Sequence, residues 1–390
     1  MKTVRFGIIG VGNIGSSHAA CLSKGEIAGA KLCALCDIDN TRRMALAEKY
    51  PDIRLFSDYK EMILSGEVDA VIVATPHPSH CEISVFAMEN GIDVLCEKPA
   101  DITAEKALYS ADVAKKTGRK YAVMFNQRTN PLFKEAKRIM ECGELGELKR
   151  LVWIVTNWYR TQNYYDNGDW RATWKNEGGG VLMNQAPHNL DIWQWVFGMP
   201  KRIFASCYCG KYHNIEVEDD VTILAEYPNG ATATFITSTG EYPGTNRLEI
   251  TGSKGKIVIE QCKLKKWILP SDEREFCFEH PYPTVDFEPE YSEILQTEQE
   301  TGHARILQNF TNSILENEPL ISPGSDGVYE LLISNSAYLS AQKREWIELP
   351  FDIEKYTDFL ISKTEKSQTK SSNKSIKIQE FYSNRWKVNW

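Results

Sequence analysis

VRFGIIGVGNIG, residues 4–15, is the stretch that decides the fold of the first part of this 390-residue chain. Its first six residues are mostly apolar on both faces, which is typical of a strand that helices cover on both sides. Three glycines follow in the pattern G-x-G-x-x-G, at the start of a helical pattern. This spacing provides a tight turn, a bare backbone against a pyrophosphate, and close packing of helix on strand. The predicted cofactor contacts of this turn are Gly10, Gly12, Asn13, Ile14 and Gly15.

The residues after this turn alternate short β-rich runs with longer helical patterns. Such alternation is typical of a parallel sheet with crossover helices, and right-handed crossovers then give a doubly wound sheet. We expect residues 1–125 to form an α/β domain of the Rossmann type that binds a dinucleotide. Its further predicted strands are 32–36, 70–74, 93–96 and 121–125, and its predicted helices are 14–24, 41–50, 81–90 and 104–116.

The second predicted strand ends at Asp37, 22 residues past Gly15. A carboxylate in this place can accept hydrogen bonds from both ribose hydroxyls of an adenosine, and it would repel a 2′-phosphate. NAD is therefore favoured over NADP, although the nearby Arg42 and Arg43 would suit a phosphate. The alternative interpretation is that the glycines only make a turn and that Asp37 caps a backbone group.

A lysine follows the strand predicted at 93–96, in the run Glu97-Lys98-Pro99. The carboxyl edge of the parallel sheet is where a bound cofactor lies. There, Lys98 can hydrogen-bond a substrate hydroxyl and stabilise the alkoxide as hydride leaves. The alternative is a surface ion pair between Lys98 and Glu97.

Thr75, Pro76 and His80 follow the strand predicted at 70–74 and are expected on the nicotinamide side of the cofactor. The histidine at the start of the next helix suits a capping or supporting role better than a catalytic one.

The pattern changes after Arg128, and a second domain is predicted over residues 126–361 for substrate binding and oligomerisation. Helices are expected at 132–142 and 187–196. Several later runs alternate apolar and polar residues or are joined by short turns, which predicts a large, open, mostly antiparallel sheet with one face free for a partner. The predicted strands are 148–158, 221–227, 231–238, 247–251 and 256–259. Two further helices, 304–316 and 327–341, are expected to pack on the first domain.

Residues 362–390 are expected to form a linker and a terminal arm. The linker, 362–377, is rich in Ser and Lys and has no apolar periodicity. The arm is too apolar for a free tail and is expected to dock on its own domain or on a neighbouring subunit. Its aromatic residues are Phe381, Tyr382, Trp386 and Trp390.

Six aromatic residues lie within the 17 residues from Trp158 to Trp174, where the overall aromatic content of 11% predicts about two. Flat rings suit the apolar faces of sugars, and the interspersed polar residues offer hydroxyl partners. The alternatives are a packed loop, a subunit interface or a phosphate site. The predicted substrate contacts in this loop are Tyr159, Arg160, Trp170, Arg171 and Trp174.

Three glycines, 178–180, precede a helix that carries His188. The glycines suggest a backbone that approaches a ligand closely, and an imidazole titrates near working pH, so His188 could remove a hydroxyl proton. A single histidine is more often structural, so the residues alone leave both interpretations open.

The sequence contains four motifs in this order along the chain: Gly10-x-Gly12-x-x-Gly15, Glu97-Lys98-Pro99, Phe125-Asn126-Gln127-Arg128 and Gly178-Gly179-Gly180 with His188-x-x-Asp191. With them the chain resembles the glucose-fructose oxidoreductase/inositol dehydrogenase (Gfo/Idh/MocA) family, from about residue 3 to about residue 350. The resemblance implies a Rossmann domain and an α/β domain whose open sheet mediates dimers, tetramers or higher homo-oligomers. It also implies NAD(P)-dependent oxidation of a secondary hydroxyl on a sugar, glycoside or cyclic polyol. Lys98 and His188 match the catalytic pair of that family, and Glu97, Asn126 and Gln127 are then expected at the cofactor.

One position departs from the pattern of the family. Four residues before the histidine the family commonly has Asp, whereas this chain has Asn184, which cannot stabilise an imidazolium by charge. Asp191, one helical turn after His188, could take that role. Asn184 is expected at the substrate. This version of the motif resembles members that act on glycosides and anhydrosugars, including some that oxidise a ring hydroxyl at C3.

Charge and composition exclude several classes of protein. A formal net charge of −8 argues against a nucleic-acid binder, and the sequence has no apolar run long enough to span a membrane. The ten cysteines include the close pairs Cys33/Cys36 and Cys207/Cys209 but no second pair at zinc-finger spacing. No metal is therefore expected, and the thiols are interpreted as reduced and structural, in a cytoplasmic protein, with a redox or metal role for Cys33 and Cys36 as the alternative.

The sequence thus predicts a dehydrogenase in which His188 takes a hydroxyl proton, Lys98 holds the oxygen and hydride passes to NAD. Two alternatives stay open. In one, transient oxidation helps to cleave a glycosidic bond and NAD is regenerated in each cycle. In the other, the protein binds NAD as a sensor without catalysis.

Overall fold

The computed structural model describes residues 2–168, 170–285, 288–296 and 302–367. These residues form two compact units. The first contains residues 2–129, 176–178 and 302–331, and the second contains residues 130–168, 170–175, 179–285, 288–296 and 332–367. The chain therefore returns to the first unit after building most of the second.

The first unit is built on a six-stranded parallel sheet with the strand order β3-β2-β1-β4-β5-β6. This is the doubly wound order of a Rossmann fold, as predicted. The strands are β1 Val4–Ile9, β2 Ala30–Cys36, β3 Arg54–Phe56, β4 Ala70–Val73, β5 Asp93–Cys96 and β6 Tyr121–Val123. The helices are α1 Asn13–Ser23, α2 Asn40–Lys49, α3 Tyr59–Leu64, α4 His80–Glu89 and α5 Ala104–Thr117, with short 3₁₀ turns at His77–Ser79 and Asn126–Thr129.

A later helix completes the core of the first unit. Its residues Ile306, Leu307 and Phe310 are buried with the strand residues of β1, and the rings of Phe6 and Phe310 lie 6.2 Å apart. The expectation that this helix packs on the first domain is confirmed. Only the first turn of the next helix belongs to the first unit. Further along that helix, Tyr338 donates a hydrogen bond to Glu218 and Ser340 accepts one from the Ala205 amide, both within the second unit.

The second unit is built on a nine-stranded sheet with the order β14-β13-β12-β11-β7-β10-β9-β8-β15. Every neighbouring pair is antiparallel except β7 and β10, so the predicted mostly antiparallel sheet is confirmed. Its strands are β7 Leu148–Val155, β8 Arg202–Cys209, β9 Glu218–Glu226, β10 Thr232–Ser238, β11 Asn246–Gly252, β12 Gly255–Glu260, β13 Lys263–Ile268, β14 Glu290–Leu295 and β15 Ile347–Glu348. The helices after the first unit's α5 are α6 Pro131–Glu141, α7 Gln162–Asp166, α8 Val181–Asn184, α9 Pro187–Phe197, α10 Glu273–Glu279, α11 Gly302–Glu316, α12 Gly327–Lys343 and α13 Ile353–Thr364, with a 3₁₀ turn at Gly324–Asp326.

Burial alternates along the central strands of this sheet, so one face forms the core. On the buried face, the ring of Phe235 lies 5.7 Å from that of Trp193 and 6.0 Å from that of Trp153. Because Trp193 belongs to α9, this aromatic stack fixes the helix that carries His188 against the sheet.

Residues 362–364, predicted as the start of the linker, belong to a helix instead. Helix α13 continues to Thr364, because Lys363 lies over the rings of Trp174 and Phe359 and Ser367 hydrogen-bonds to Glu216. The aromatic arm that contains Phe381, Tyr382, Trp386 and Trp390 lies outside the described residues. Within the described ranges, no helix is long and apolar enough to cross a membrane.

Candidate active site

The glycine turn between β1 and α1 has one side packed against protein and one side open. A Cβ atom at Gly15 would lie 2.0 Å from the Gly10 oxygen, and a Cβ at Gly10, where φ is +86°, would lie 2.7 Å from the Ala74 oxygen. A Cβ at Gly12 would meet no protein atom within 4 Å. Gly10 and Gly15 are therefore required by packing, whereas the side of Gly12 is open to a ligand.

The N-terminus of α1 is suited to an anion. Gly12 is the N-cap residue, no side chain in the described ranges caps this helix, and its first turn carries no acidic residue. The first backbone N–H groups of a helix have no partner within the helix, and the helix dipole favours negative charge there. These are the properties that bind a pyrophosphate.

Asp37 lies at the carboxyl end of β2, directly beside the turn. It is only 5% exposed, and its two oxygens accept hydrogen bonds from the amides of Val11 and Asp39, both at 2.9 Å. A guanidinium nitrogen of Arg42 lies 3.5 Å away. The carboxylate thus holds the glycine turn in place and, with four lone-pair sites, retains capacity for ribose hydroxyls.

His80 links the next two strand ends. Its Nδ1 lies 2.7 Å from the Pro99 oxygen and its Nε2 lies 2.8 Å from the Thr75 oxygen. The ring is buried, whereas Thr75 is half-buried and Pro76 is exposed. His80 therefore supports the junctions after β4 and β5, and Thr75 and Pro76 are the residues of this group that a ligand can reach.

The carboxylate of Glu97 points into the first unit. Its Oε1 accepts a hydrogen bond from Nε2 of His18 at 2.7 Å, and both side chains are buried. The alternative of a surface ion pair with Lys98 is therefore wrong, since Glu97 does not reach the surface. Lys98 is half-buried, at the same carboxyl edge as Asp37 and the glycine turn.

Asn126 and Gln127 follow β6 at this edge. Asn126 Oδ1 and Gln127 Oε1 are buried acceptors that have no hydrogen-bond partner among the described residues. Buried polar groups in proteins are nearly always paired, so these oxygens are expected to meet a ligand. Together with the open glycine turn and Asp37, they make the edge a fitting site for NAD.

The glycines before α8 serve packing rather than ligand approach, contrary to the prediction. A Cβ at Gly178 would lie 2.4 Å from the Ile102 side chain, one at Gly179 would lie 2.2 Å from the Tyr338 hydroxyl, and one at Gly180 would lie 2.0 Å from the Glu218 oxygen. Neighbouring protein atoms already fill the space that a ligand would need.

Glu218 stabilises the start of α8 by hydrogen bonds to its backbone. Its carboxylate accepts hydrogen bonds from the amides of Gly180 at 2.8 Å and Leu182 at 3.0 Å, and from the Tyr338 hydroxyl at 2.7 Å. Burial raises the pKa of this carboxyl to about 7, against the effect of the three donors. Glu218 could not be identified from the sequence, because an acidic residue at the start of a strand carries no distinguishing pattern.

Asn184 and His188 are the two half-buried residues of an otherwise buried stretch, 181–190. Asn184 ends α8 and His188 lies in the first turn of α9, so both side chains are accessible within the second unit. Asp191 is fully buried and accepts a hydrogen bond from Gln194 at 3.0 Å.

The aromatic loop divides into an accessible part and a packed part. Tyr164 lies between two guanidinium groups, with the carbon of Arg160 at 5.1 Å and that of Arg171 at 4.8 Å from its ring centre. Trp170 lies 4.9 Å from Arg171 and is half-buried, and Tyr159 is 44% exposed.

Trp174 belongs to the packed part. It is only 4% exposed, and its ring contacts those of Tyr338 at 5.3 Å and Phe359 at 5.7 Å, while its indole nitrogen donates to the Glu216 oxygen. We therefore correct its predicted role, because a ring that is buried against two other aromatic rings serves the core of the second unit.

Two residues near the cofactor edge were missed from sequence. His18 occupies the buried face of α1, together with Gly15, Ala19 and Leu22, and a histidine in such an apolar stripe is the signal that a buried partner exists. His303, on α11, follows Glu97 by more than 200 residues, and no pattern in the sequence connects the two.

Cys33 and Cys36 are free thiols, and burial raises the pKa of Cys36 to about 12, which fits structural residues. No cluster of metal-binding side chains occurs among the described residues.

Comparisons with known proteins agree with this geometry. Residues 4–125 match the sequence model of an oxidoreductase family with an NAD-binding Rossmann fold, and residues 133–258 match that of the GFO/IDH/MocA C-terminal domain. The chain is 25% identical to inositol 2-dehydrogenase of Rhizobium meliloti over 356 residues, covering 88% of this chain and 98% of the relative. It is 24% identical to levoglucosan dehydrogenase of Pseudarthrobacter phenanthrenivorans, covering 90% and 99%. The WlbA dehydrogenase of Bordetella pertussis, solved with NADH and UDP-GlcNAcA, shares the fold with a TM-score of 0.75 at 24% identity, covering 90% of this chain and all of that one.

Proposed function

The chain belongs to the Gfo/Idh/MocA family of NAD-dependent oxidoreductases, and from this premise we propose that it oxidises a secondary ring hydroxyl of a sugar, glycoside or cyclic polyol to a ketone. The observation that carries the proposal is the meeting of Gly12, Asp37 and Lys98 at one edge of the parallel sheet. The relatives named as inositol and levoglucosan dehydrogenases support the class of substrate.

In the proposed reaction, Lys98 and His188 act on the same substrate hydroxyl. His188 takes the hydroxyl proton, and the Lys98 ammonium stabilises the negative charge that develops on the oxygen. Bound NAD supplies the acceptor for the hydride that leaves the carbon. The products are a ketone, NADH and a proton held on His188.

Asn184 gives this site a neutral group where the family commonly has an acid. An amide can accept and donate hydrogen bonds but cannot stabilise an imidazolium by charge. We propose that Asn184 binds a substrate hydroxyl. Asp191, buried one turn after His188, is the candidate for orienting α9.

The accessible part of the aromatic loop is the proposed sugar platform. Tyr159 and Trp170 offer faces for the apolar side of a ring, and Arg160 and Arg171 offer donors for hydroxyls. Oxidation at C3 is the position we propose, on the resemblance of the Asn184 version of the motif to glycoside-oxidising members.

The open face of the nine-stranded sheet is the proposed surface for a second copy of the chain. Val152 and Ile154 are half-buried on this face and Leu224 is 42% exposed, although such residues are normally covered. We propose a cytoplasmic homo-oligomer, and light scattering of the purified chain tests the oligomeric state.

The experiment is mass spectrometry of sugars, inositols and aryl glycosides after incubation with the protein, NAD and an electron acceptor that recycles NADH. Loss of two hydrogens from one compound supports the proposal and allows the ketone to be mapped. A free aglycone without net oxidation would favour redox-assisted cleavage, and NADH binding with no altered compound would favour a sensor.

The variant Lys98→Met tests the assigned residue. We expect turnover to fall by at least about 100-fold, the contribution of a positioned charged donor, with NADH affinity unchanged within about twofold. The matched control is Lys116→Met, which alters an exposed lysine of α5 in the same unit and should keep full turnover. Full activity of Lys98→Met would remove Lys98 from the mechanism.

A further inference from the structure

A buried carboxylate next to a pair of histidines directly precedes the proposed catalytic lysine. Glu97 accepts the hydrogen bond from His18 Nε2 at 2.7 Å, and the ring of His18 lies edge-on to the ring of His303 at 5.9 Å. His303 is in turn 3.1 Å from the amide nitrogen of Asn126, measured to its Nδ1. Three segments, α1, α11 and the strand end after β6, thus meet around the residue that precedes Lys98.

The carboxylate of this cluster carries the charge. Burial works to raise the pKa of Glu97, but the hydrogen bond and electrostatic attraction from His18, with a smaller contribution from Lys98, outweigh burial and hold the pKa below its ordinary value. Burial lowers the pKa of His303 to about 4, so this imidazole is neutral and accepts the Asn126 N–H. The cluster therefore contains an anion in a largely dry environment.

Electrostatic interaction between two groups is mutual. Lys98 follows Glu97 directly in the chain, so the buried carboxylate, held by His18, lies beside the lysine and attracts a cation there. The ammonium is the form that can donate a hydrogen bond to a developing alkoxide while also offsetting its charge.

We propose that Glu97, held in place by His18, is a positioning residue that keeps Lys98 charged and oriented toward the substrate oxygen, with His303 closing the carboxylate off from water. This inference rests on the role of Lys98 in the proposed function. Neither histidine needs to touch the substrate, because both act through the carboxylate.

The variants separate the charge of Glu97 from its shape. Glu97→Gln keeps the shape and removes the charge. His18→Leu removes the donor, so that a carboxylate in an apolar environment takes up a proton, whereas His18→Gln retains an N–H donor and should restore the wild-type behaviour. Glu61→Gln, an exposed carboxylate of α3, is the matched control.

The measurement is the rate at which Lys98 reacts with an acylating reagent as a function of pH, followed by peptide mass spectrometry on the full chain. Only the neutral amine reacts, and the exposed Lys24 serves as the internal reference. We expect the midpoint for Lys98 to move to lower pH in Glu97→Gln and in His18→Leu. At a fixed pH below the wild-type midpoint, Lys98 should be labelled about tenfold faster in the variant than in the wild type for each pH unit by which the midpoint falls.

This readout needs no turnover, so it distinguishes two failures. If no sugar is oxidised but the midpoint shifts and His18→Gln restores it, the proposed function fails while the electrostatic role of Glu97 stands. If Lys98 labels alike in the wild type, Glu97→Gln and His18→Leu, the inference is overturned even when turnover is normal. If either variant fails to fold, the other one gives the same test. With an active enzyme, the alkaline limb of kcat should shift with the labelling midpoint while KM stays nearly constant.

Discussion

Gly12→Ala should separate cofactor binding from the stability of the fold. The backbone at Gly12 has φ −73° and ψ −153°, which alanine tolerates, and its Cβ would meet no protein atom within 4 Å. Replacing glycine at a compatible position restricts the unfolded chain and adds about 0.4–1 kcal/mol to the free energy of unfolding. The variant should therefore melt at the wild-type temperature or slightly above it.

The same methyl group projects into the open space beside the N-terminus of α1, where the pyrophosphate of NAD is expected. Displacing one phosphate oxygen from a backbone N–H removes a charge-assisted hydrogen bond worth about 1.5–3 kcal/mol. The dissociation constant of NADH should consequently rise about 10-fold to 100-fold.

The assay is a titration of NADH followed by its fluorescence, together with a thermal scan of the protein without cofactor. Gly15→Ala is the contrasting variant, since its Cβ would lie 2.0 Å from the Gly10 oxygen and must displace the turn. We expect Gly15→Ala to lose about 1–3 kcal/mol of stability as well as cofactor affinity. Unchanged NADH affinity in Gly12→Ala would refute the assignment of this turn as the pyrophosphate site.

Three further predictions concern single residues. Asp37→Ala should weaken NAD binding more than NADP binding, because it removes the ribose acceptor and the charge that repels a 2′-phosphate; equal losses in paired titrations would argue against this role. Burial raises the pKa of Glu218 to about 7 from 4.5, so its contribution to stability is present in acid and is lost as pH rises through neutrality. From about pH 5 to about pH 8 this loss is roughly 2 kcal/mol in the free energy of unfolding, measured by denaturant titration, and Glu218→Gln should abolish that part of the pH dependence. Trp174→Ala should cost about 3–5 kcal/mol of stability, since its ring is enclosed in the core, whereas Tyr159→Ala should leave the melting temperature nearly unchanged and raise KM for the sugar.

The first sheet and the glycine turn could be predicted from the sequence alone, for a physical reason. Strands covered on both faces are apolar throughout, and a glycine turn followed by Asp37 places each group within a few residues of a strand end. Local patterns of this kind are written contiguously in the chain. The short strand β3 and helix α3 were missed because three and six residues carry too little periodicity to recognise.

Which groups meet across long distances in sequence depends on tertiary contacts that no local pattern predicts. Glu97 bonds to His18, 79 residues away, and Tyr338 bonds to Glu218 across 120 residues. Such pairs share no period or motif, since each residue is selected by a partner that folding brings to it. The role of Trp174 was likewise decided by its neighbours, because an aromatic ring in a sequence suits a sugar or a core equally well until the surrounding side chains cover it.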